Sequence, residues 1–310
     1  MKKAIIIIGC IILFMVLAII IFPLIYTNEY YSYDEAVKQF ARGKIITVNN
    51  KKIHYIGKGA GKPVIMIHGF LYNTAMWNKN IDKLSKKFKV YAIDLWGWGY
   101  SQRLPKDAYS FDLYSRQVIG FMDALKIPKA SLVGQSMGGG ISVYTAAHNP
   151  DRIDRLLLVA PAVIPYDLPL DARVFKLPFV GEFMLSIPGD SLLTDNLKNI
   201  FFYDKAGVTD EYAAEVLRPS HIEGTHAGAL YMHRYMLVPP VVEKEAKMLA
   251  AMGKPILIIH GHEDRAVPLD RSQELAKMWK TAKLVIFEKA GHCPHDEHAE
   301  RFNRLALDFL

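Results

Sequence analysis

Three residue types that together activate a serine for attack on a carbonyl occur in order along this chain. Residues 134–138 read GQSMG, a G-x-S-x-G pattern that places Ser136 between two glycines. The pattern follows an apolar run at residues 131–133 and precedes a helical pattern rich in small residues. A sharp turn from strand to helix needs glycine on both flanks, because larger side chains would collide where the serine is forced outward. We therefore predict that Ser136 is a nucleophile.

A serine hydroxyl is a weak nucleophile without a base, so a histidine and an acid are expected further along the chain. His292 follows an apolar run at residues 284–287, and Asp264 follows the apolar run before it. Neighbouring strand ends at one sheet edge would bring the two side chains together. We predict that His292 is the general base and that Asp264 orients it. Glu263 and Asp167 are rival acids on the sequence alone.

The transition state of carbonyl attack also needs hydrogen-bond donors for the developing oxyanion. One donor is expected from the backbone N–H of Met137, the residue after the serine. The second is expected from the loop that follows the apolar run at residues 64–67, where we predict the backbone N–H of Phe70. His68 in the same loop is expected to brace it and not to act as a base.

The elements that must position these residues alternate between strand and helix. Continuous apolar runs are typical of strands that are buried on both faces, and their alternation with helical patterns predicts an α/β fold with a mostly parallel sheet. The predicted strands are residues 44–48, 52–56, 64–67, 90–93, 131–133, 156–159, 256–259 and 284–287. The predicted helices are residues 75–87, 113–125, 138–149, 272–280 and 297–310.

One interval, about residues 163–253, has no clear buried strand and is rich in proline and large apolar residues. Because it is too long for a single loop, we interpret it as a helical cap insertion. A separate second domain is the alternative. The predicted organisation is an N-terminal anchor at residues 1–26, a linker at residues 27–43 and an α/β body at residues 44–310 that includes the cap at about residues 163–253.

The N-terminal segment is predicted to be a membrane anchor. Residues 4–26 carry no charge, and about 20 apolar residues suffice to span a bilayer as a helix. A secretory signal has a shorter apolar region and an A-x-A-like cleavage site, which this segment lacks. Lys2 and Lys3 precede the segment, and Glu29 follows it. The excess of positive charge before the helix predicts a single-pass protein with its body on the extracytoplasmic side.

Composition excludes several other classes. The chain has 310 residues, 51% of them hydrophobic and 22% charged, which is incompatible with a disordered chain. Two cysteines cannot form a disulfide-stapled scaffold or a cysteine-built zinc module. The net charge of +7 is spread along the chain, without a basic run interleaved with aromatics, so no nucleic-acid partner is expected.

Histidines outside the predicted triad do not suggest a metal site. His295 and His298 follow His292 at three-residue intervals, but Pro294 interrupts the run and no ligand spacing fits a known site. We expect neither a metal nor a cofactor. The cap also contains several polar residues that belong to no motif and are expected to pack within it or lie on its surface, namely His221, His226, His233 and Arg234.

Over about residues 44–310, the chain resembles an α/β-hydrolase-fold serine hydrolase with a helical cap. Five motifs in this order carry the resemblance: His68-Gly69-Phe70, DLWGWGYS at residues 94–101, GQSMG at residues 134–138, GHEDRAVP at residues 261–268 and Ala290-Gly291-His292. The stretch at residues 94–101 resembles the D-x-x-G-x-G-x-S turn of that family, and its implied role is to brace the loops near the site.

Motif details bear on the subfamily. Dehalogenases and epoxide hydrolases of this fold carry an aspartate nucleophile, whereas position 136 is serine. Carbon–carbon bond hydrolases typically show H-G-x-G-P-G in the oxyanion loop, and residues 68–73 read HGFLYN, which speaks against them. The anchor, the Met-Gly-Gly after the serine and the apolar cap resemble membrane-anchored monoacylglycerol-lipase-like esterases. The resemblance implies cofactor-free hydrolysis of carboxylic esters, of lipid or medium-chain acyl type.

Other functions on the same residues stay open. A carbon–carbon bond hydrolase or a cofactor-free haloperoxidase or perhydrolase would use the same triad. A catalytically silent hydrolase-fold binding protein is the alternative of another class. The expected partners are a small-molecule ester, which could be a lipid, and a membrane that is contacted through the N-terminal helix.

Overall fold

The computed structural model describes residues 2–168, 170–237 and 242–310, and a long apolar helix precedes its α/β body. Within this part of the chain, helix α1 (Lys2–Ile25) is the one helix whose length and composition would let it cross a membrane. Helix α2 (Tyr33–Phe40) follows. It begins with a capping box in which Ser32 and Glu35 bond each other's backbone N–H groups, which satisfies two donors at the helix start.

The body is built on one eight-stranded sheet in the order β1-β2-β4-β3-β5-β6-β7-β8. Strands β1 and β2 pair antiparallel with their neighbours, and all later pairs are parallel. This arrangement confirms the predicted α/β fold class. The strands are β1 (Lys44–Val48), β2 (Lys51–Lys58), β3 (Pro63–Ile67), β4 (Lys89–Ile93), β5 (Ala130–Gln135), β6 (Ile153–Val159), β7 (Ile256–Gly261) and β8 (Ala282–Phe287).

The central strands are buried on both faces. Successive residues Val64 and Ile65 of β3 enter two different apolar clusters, and so do Leu132 and Val133 of β5. Side chains of a strand alternate between the two faces of the sheet, so the two clusters are the two layers of the core. Continuous apolar runs in the sequence follow directly from this double burial.

Helices cover the sheet and also form the segment between β6 and β7. The remaining helices are α3 (Asn78–Leu84), α4 (Phe111–Ala124), α5 (Met137–His148), α6 (Leu170–Phe175), α7 (Val180–Ser186), α8 (Ser191–Asn196), α9 (Asp210–Leu217), α10 (Thr225–Tyr235), α11 (Glu243–Met252), α12 (Leu269–Met278), α13 (Pro294–Glu297) and α14 (Ala299–Phe309). Helices α6 to α11 lie within the interval that the sequence assigns to the cap.

Residues 27–43, which the sequence suggests as a linker, are packed against the cap. The backbone N–H groups of Tyr30 and Tyr31 both donate to the carbonyl oxygen of His221, at 2.9 and 3.0 Å. The backbone N–H of Glu223 donates in return to the Tyr31 carbonyl oxygen, at 3.0 Å. The segment that connects α1 to the body is therefore hydrogen-bonded to the cap.

Candidate active site

Ser136 lies in the turn between β5 and α5. Its backbone adopts φ 51° and ψ −116°, a left-handed conformation that a non-glycine residue rarely takes. A Cβ atom at Gly134 would lie 2.3 Å from the Gly138 carbonyl oxygen, and one at Gly138 would lie 2.3 Å from the Ile67 carbonyl oxygen. The two glycines are thus required by close backbone approach. The strained turn leaves the Ser136 side chain accessible between buried neighbours.

His292 lies in the loop after β8, and Asp264 lies in the loop after β7. The His292 Nδ1 atom donates to Asp264 Oδ2 over 2.7 Å, and both side chains are buried. With its proton on Nδ1, His292 keeps Nε2 free to accept a proton from a hydroxyl group. Ser136 and His292 line the same cavity. The structure thus brings the three predicted catalytic residues to one end of the sheet.

The Asp264 carboxylate is held by more than its histidine partner. Its Oδ1 accepts from the backbone N–H groups of Ala266 and Val267, at 2.8 and 3.0 Å. His260 Nε2 lies 3.1 Å from Oδ2. Burial opposes ionisation of Asp264, but the facing His292 and the hydrogen bond from His260 outweigh it and hold its pKa below the ordinary value. Asp264 therefore stays ionised.

His260 is a site residue that the sequence analysis did not select. It is the penultimate residue of β7 and is fully buried. Its Nδ1 accepts from the Ser272 hydroxyl at 2.7 Å, which leaves the proton on Nε2. This N–H donates to the Val267 carbonyl oxygen at 3.0 Å and also faces the Asp264 carboxylate. A histidine four residues before the acid, at the end of a buried strand, was the available sequence signal.

The rival acids have other positions. The Glu263 carboxylate accepts from the backbone N–H of Ala290 at 3.0 Å, so it supports the loop that carries the histidine. The Asp167 side chain is fully exposed, 3.8 Å from Arg173. Of the three candidates, Asp264 is the carboxylate bonded to His292.

The predicted oxyanion donors flank the serine. Met137 is the first residue of α5, where a helix leaves its backbone N–H groups without intrahelical partners. Phe70 lies in the loop after β3 and lines the cavity. A Cβ atom at Gly69 would lie 3.2 Å from the Ser136 Cβ, so this loop runs directly against the serine turn. The use of the two N–H groups as an oxyanion hole remains a prediction.

His68 and Asp94 brace the neighbouring loops. His68 Nδ1 donates to the Gly69 carbonyl oxygen at 2.7 Å, and Nε2 accepts from the Leu95 N–H at 3.0 Å. Complete burial lowers the pKa of His68, which keeps it neutral in both contacts. The Asp94 carboxylate accepts from the Tyr100 N–H at 2.8 Å, among other donors. Both residues have the bracing roles that the sequence suggests.

Two contacts fix the backbone of His292 itself, and the sequence indicated neither. The His292 N–H donates to the Phe201 carbonyl oxygen in the cap at 2.8 Å. Gln135, directly before the serine, donates through Nε2 to the His292 carbonyl oxygen at 3.1 Å. The predicted base is therefore bonded to the cap on one side and to the end of β5 on the other.

Glu297 joins the same loop to the cap. One carboxylate oxygen accepts from the Gly291 N–H at 2.6 Å, and the other accepts from the N–H groups of Tyr203 and Asp204 at 2.7 and 3.1 Å. A single side chain thus spans the catalytic loop and a cap segment.

The cavity over Ser136 has a volume of about 260 Å³. Its polar groups are Ser136, His292, Tyr166, Asn196 and His233. The apolar part of its wall comes from the oxyanion loop, the strand ends and cap helices, namely Phe70, Leu71, Ala162, Leu168, Ala172, Phe175, Met184, Leu192, Leu193, Ile200, Phe201, Leu237, Ala266 and Val267. Among the residues that the structure describes, no Lys, Arg, Asp or Glu belongs to this wall.

The ionisable side chains of the wall other than His292 are held neutral. Burial, and then the nearby negative charge of Asp264, raise the pKa of Tyr166 well above its ordinary value. Burial lowers the pKa of His233, whose Nε2 donates to the Ala172 carbonyl oxygen at 2.9 Å. His233 was expected to pack within the cap or to lie on its surface, and the structure places it in the cavity wall.

The remaining histidines do not converge on one point. His295 is buried with its ring centroid 4.6 Å from that of Trp77, and His298 Nε2 donates to the Lys289 carbonyl oxygen at 2.9 Å. Elsewhere in the described residues, one exposed group brings possible metal-ligand atoms within 4.8 Å of each other, namely His262, Glu263 and Glu288.

The family comparisons agree with this geometry. Residues 62–186 match the model of the alpha/beta hydrolase fold. The 2-hydroxymuconate semialdehyde hydrolase of Pseudomonas sp. (strain CF600) is 36% identical over 261 residues, which cover 81% of this chain and 88% of that protein. The 2-hydroxy-6-oxo-6-phenylhexa-2,4-dienoate hydrolase of Burkholderia cepacia is 32% identical and covers 86% of this chain and 96% of its own.

A solved structure gives the same result. The meta-cleavage product hydrolase CumD from Pseudomonas fluorescens IP01 superposes with a TM-score of 0.73 and 32% identity, covering 86% of this chain and 97% of its own. The chain belongs to the alpha/beta hydrolase family, and it is a hydrolase by this relationship. Within the family, its relatives include hydrolases of meta-cleavage products.

The relatives correct one expectation. The likeness to monoacylglycerol-lipase-like esterases is wrong, because the similar proteins are hydrolases of meta-cleavage products. That expectation gave weight to the side chains of residues 68–73, which lack H-G-x-G-P-G. An oxyanion hole uses backbone N–H groups, so the loop can change its side chains while the rest of the body stays similar.

Proposed function

We propose that this chain is a serine hydrolase in which Ser136 attacks the carbonyl carbon of a small, largely apolar substrate. The observation that carries the proposal is the apolar cavity with Ser136 and His292 in its wall. Asp264 supports it by fixing His292 in the tautomer that a general base requires.

The reaction then has two halves. Ser136 Oγ bonds to the carbonyl carbon while His292 Nε2 takes the hydroxyl proton, and the Met137 and Phe70 N–H groups stabilise the oxyanion. The tetrahedral intermediate collapses, and the leaving group departs with the proton from His292. Water attacks the acyl-enzyme with His292 as base, which releases a carboxylic acid and restores Ser136.

The first candidate for the bond that is cleaved is a carbon–carbon bond next to an aldehyde or ketone carbonyl. It is supported by the relatives, which are named as hydrolases of 2-hydroxymuconate semialdehyde and of an oxo-dienoate. Similarity to them extends over more than four-fifths of this chain.

A carboxylic ester is the second candidate, and one feature of the cavity favours it. A dienoate substrate carries a carboxylate, and burial of an unpaired carboxylate is costly. The described part of the cavity wall offers no Lys or Arg to pair with it, and His233 is held neutral. A neutral ester meets no such cost.

The two candidates are separated by one substrate panel. Purified full-length protein is assayed with 2-hydroxymuconate semialdehyde and with 4-nitrophenyl esters of rising acyl length, with Ser136→Ala as the matched control. A higher kcat/KM for the semialdehyde assigns carbon–carbon cleavage, and a higher value for the esters assigns ester hydrolysis. Activity that survives Ser136→Ala on both substrate types contradicts the serine mechanism itself.

If esters are cleaved, we expect kcat/KM to rise from acetyl to medium acyl chains. The wall is dominated by aliphatic and aromatic side chains, and each buried methylene contributes about 0.8 kcal/mol in transfer from water. A few added carbons therefore raise kcat/KM about tenfold or more. A profile that peaks at acetyl contradicts an apolar acyl site and leaves the triad unaffected.

Two remaining alternatives have their own tests. A catalytically silent binding protein would not react with a fluorophosphonate probe, whereas the proposed hydrolase becomes labelled at Ser136 and Ser136→Ala does not. A perhydrolase would form peracetic acid from hydrogen peroxide and acetate, which product analysis detects.

We further propose that α1 anchors the protein in a membrane as a single span, with the body on the extracytoplasmic side. The helix has 24 residues, none of them fully buried, and Lys2 and Lys3 lie at its start. The protein should remain in the membrane fraction after a high-salt wash, because a spanning helix is not held by charge. A reporter fused at Leu310 that works only in the cytoplasm would contradict the orientation.

A further inference from the structure

Helix α1 lies alongside cap helix α7 before it enters the body. Residues 18–20 and 22–23 of α1 are partly covered, whereas residues 3–17 are exposed. The aromatic rings of Phe22 and Phe183 meet edge to face, with centroids 5.7 Å apart. The cap thus contacts α1 along its last two turns.

The contacts also give the direction of α7. Its middle residue Phe183 meets Phe22, and beyond its C-terminal end the Gly189 carbonyl oxygen accepts from Asn28 Nδ2 at 3.2 Å. These two contacts indicate that α7 runs in the same direction as α1. We infer from this direction that Phe179, just before α7, is level with the earlier turn near residue 18. At 1.5 Å per residue, that level is roughly 10 Å before the end of α1.

The cap segment that leads to Phe179 exposes large apolar side chains, which we name the cap tip: Leu170, Val174, Leu177 and Phe179. Their exposed fractions are 77%, 37%, 48% and 54%. Phe179 has φ 65°, a conformation that bulky residues rarely adopt. Such a cluster is unusual on a surface that faces only water.

The cap tip is held in place by Arg234 of α10. Its guanidinium group donates to the carbonyl oxygens of Lys176 and Leu177 at 2.9 and 3.0 Å, and it binds both carboxylate oxygens of Glu182 at 2.7 and 2.8 Å. Lys176 is exposed within the tip. A lysine at this place can extend its ammonium group toward lipid phosphates while its stem stays in the apolar layer.

We propose that the cap tip inserts into the same lipid leaflet as the C-terminal end of α1. This inference rests on the proposed membrane anchoring. If α1 spans the bilayer, a segment that lies roughly 10 Å before its end is at the depth where interfacial apolar residues are buried.

Insertion of the cap tip places lipid next to the cavity. Phe175 and Met184 line the cavity. Phe175 is the last residue of α6, which carries two residues of the cap tip, and Met184 belongs to α7, which follows the other two. The Phe175 ring also packs against His233, with centroids 5.1 Å apart. A wall one helix thick therefore separates lipid from the space above Ser136, and apolar substrates dissolved in the bilayer are the class that this route would supply.

Fluorescence quenching tests the insertion without reference to activity. The full chain with Phe179→Trp is reconstituted in phosphatidylcholine vesicles with and without brominated acyl chains. All four native tryptophans are buried in the core, so they supply a constant background. We expect brominated lipid to remove at least half of the added fluorescence. The matched control is Ile45→Trp, an exposed apolar position in β1, which we expect to stay unquenched.

The outcomes are distinct. Co-flotation with vesicles but equal quenching of the Phe179→Trp and Ile45→Trp proteins overturns cap-tip insertion and leaves the anchor in place. Failure to co-float with vesicles overturns the anchor and the insertion together.

A second measurement serves if the tryptophan variant does not fold. Leu177→Asp is compared with Ile45→Asp on a vesicle-embedded substrate and on a soluble one of the class that the panel identifies. Insertion predicts about a tenfold lower rate for Leu177→Asp on the embedded substrate only. Insertion is contradicted if Leu177→Asp and Ile45→Asp have equal rates on the embedded substrate as well as on the soluble one. The proposed hydrolase function is contradicted if the unsubstituted protein does not turn over the soluble substrate.

Discussion

The backbone N–H of His292 donates to the carbonyl oxygen of Phe201 over 2.8 Å, so the predicted catalytic base is hydrogen-bonded to the cap. The Phe201 ring also lies 5.4 Å from the imidazole ring and lines the cavity. The cap is therefore part of the structure that positions the base. A displacement of this cap segment would move His292 relative to Ser136.

Loss of either reacting group should abolish turnover. We expect Ser136→Ala and His292→Ala each to lower kcat by about 10³ to 10⁶-fold while the fold is kept. Because the residues act as a unit, the double variant should be little worse than either single variant. Steady-state kinetics on the best substrate of the panel checks this, with circular dichroism as the folding control. Multiplied losses in the double variant would mean that the two residues act independently.

The identity of the acid can be checked with two amides. We expect Asp264→Asn to lower kcat by about 10⁴-fold, because the amide can hold His292 in the wrong tautomer. Glu263→Gln is the matched control one residue earlier, and we expect it to have a smaller effect because Glu263 bonds a backbone N–H and not the imidazole. If Glu263→Gln proves the more damaging change, the acid has been assigned one residue too late.

Glu297 offers a test of cap-to-loop coupling. We expect Glu297→Gln to lower kcat/KM about tenfold, because the amide NH₂ group would face a backbone N–H that the carboxylate now accepts. The matched control is Glu300→Gln on the exposed side of the following helix. Hydrogen exchange at Gly291 and Tyr203 should rise in the Glu297 variant only. Unchanged exchange at both amides would show that the side chain does not hold the two segments together.

The buried pair of His54 and Asp94 predicts a pH-dependent stability. Their side chains meet at 2.7 Å. Burial lowers the pKa of His54, but the Asp94 charge and hydrogen bond, with help from the Arg42 carbonyl oxygen, outweigh it and raise the pKa above 6.5. A raised folded-state pKa means that the stabilisation is complete below pH 6.5 and is lost as the pH rises through the folded value.

We therefore expect the free energy of unfolding to fall as the pH rises from 6.5 through the raised pKa of His54, because the attraction within this pair is then lost. Denaturant titrations of the protein in detergent measure it. The free energy of unfolding of His54→Gln should lack this dependence on pH. That of His262→Gln, at an exposed histidine, should keep it. An identical slope in the His54→Gln and unsubstituted proteins would assign the pH dependence to other groups.

The sequence predicted the strands whose burial can be read from their own residue types. Runs such as residues 64–67 and 131–133 are apolar because their strands are covered on both faces, and the structure has strands there. The expected helix at residues 297–310 is interrupted, because α13 ends at Glu297 and α14 begins at Ala299. The Glu297 side chain is bonded to Gly291 and to the cap, and no helical periodicity records such contacts.

The same distinction holds for the site. Ser136, Asp264 and His292 were found because each stands in a short pattern next to a strand. His260 and Phe201 were missed because their roles arise from contacts across the fold. A backbone carbonyl oxygen that accepts a hydrogen bond from the catalytic loop cannot be predicted from residue type, because every residue has a backbone carbonyl group.

The bonds that join Tyr30 and Tyr31 to the His221 carbonyl oxygen set the boundary for truncated, helix-free versions of the protein. Deletion of residues 2–25 removes the apolar helix, together with its contact between Phe22 and Phe183, and leaves these bonds intact. A version that begins after Tyr31 deprives the His221 carbonyl oxygen of both donors and removes the segment that is hydrogen-bonded to the cap. Expression trials for a detergent-free protein should therefore start at Thr27 or earlier, and versions that start at β1 should precipitate.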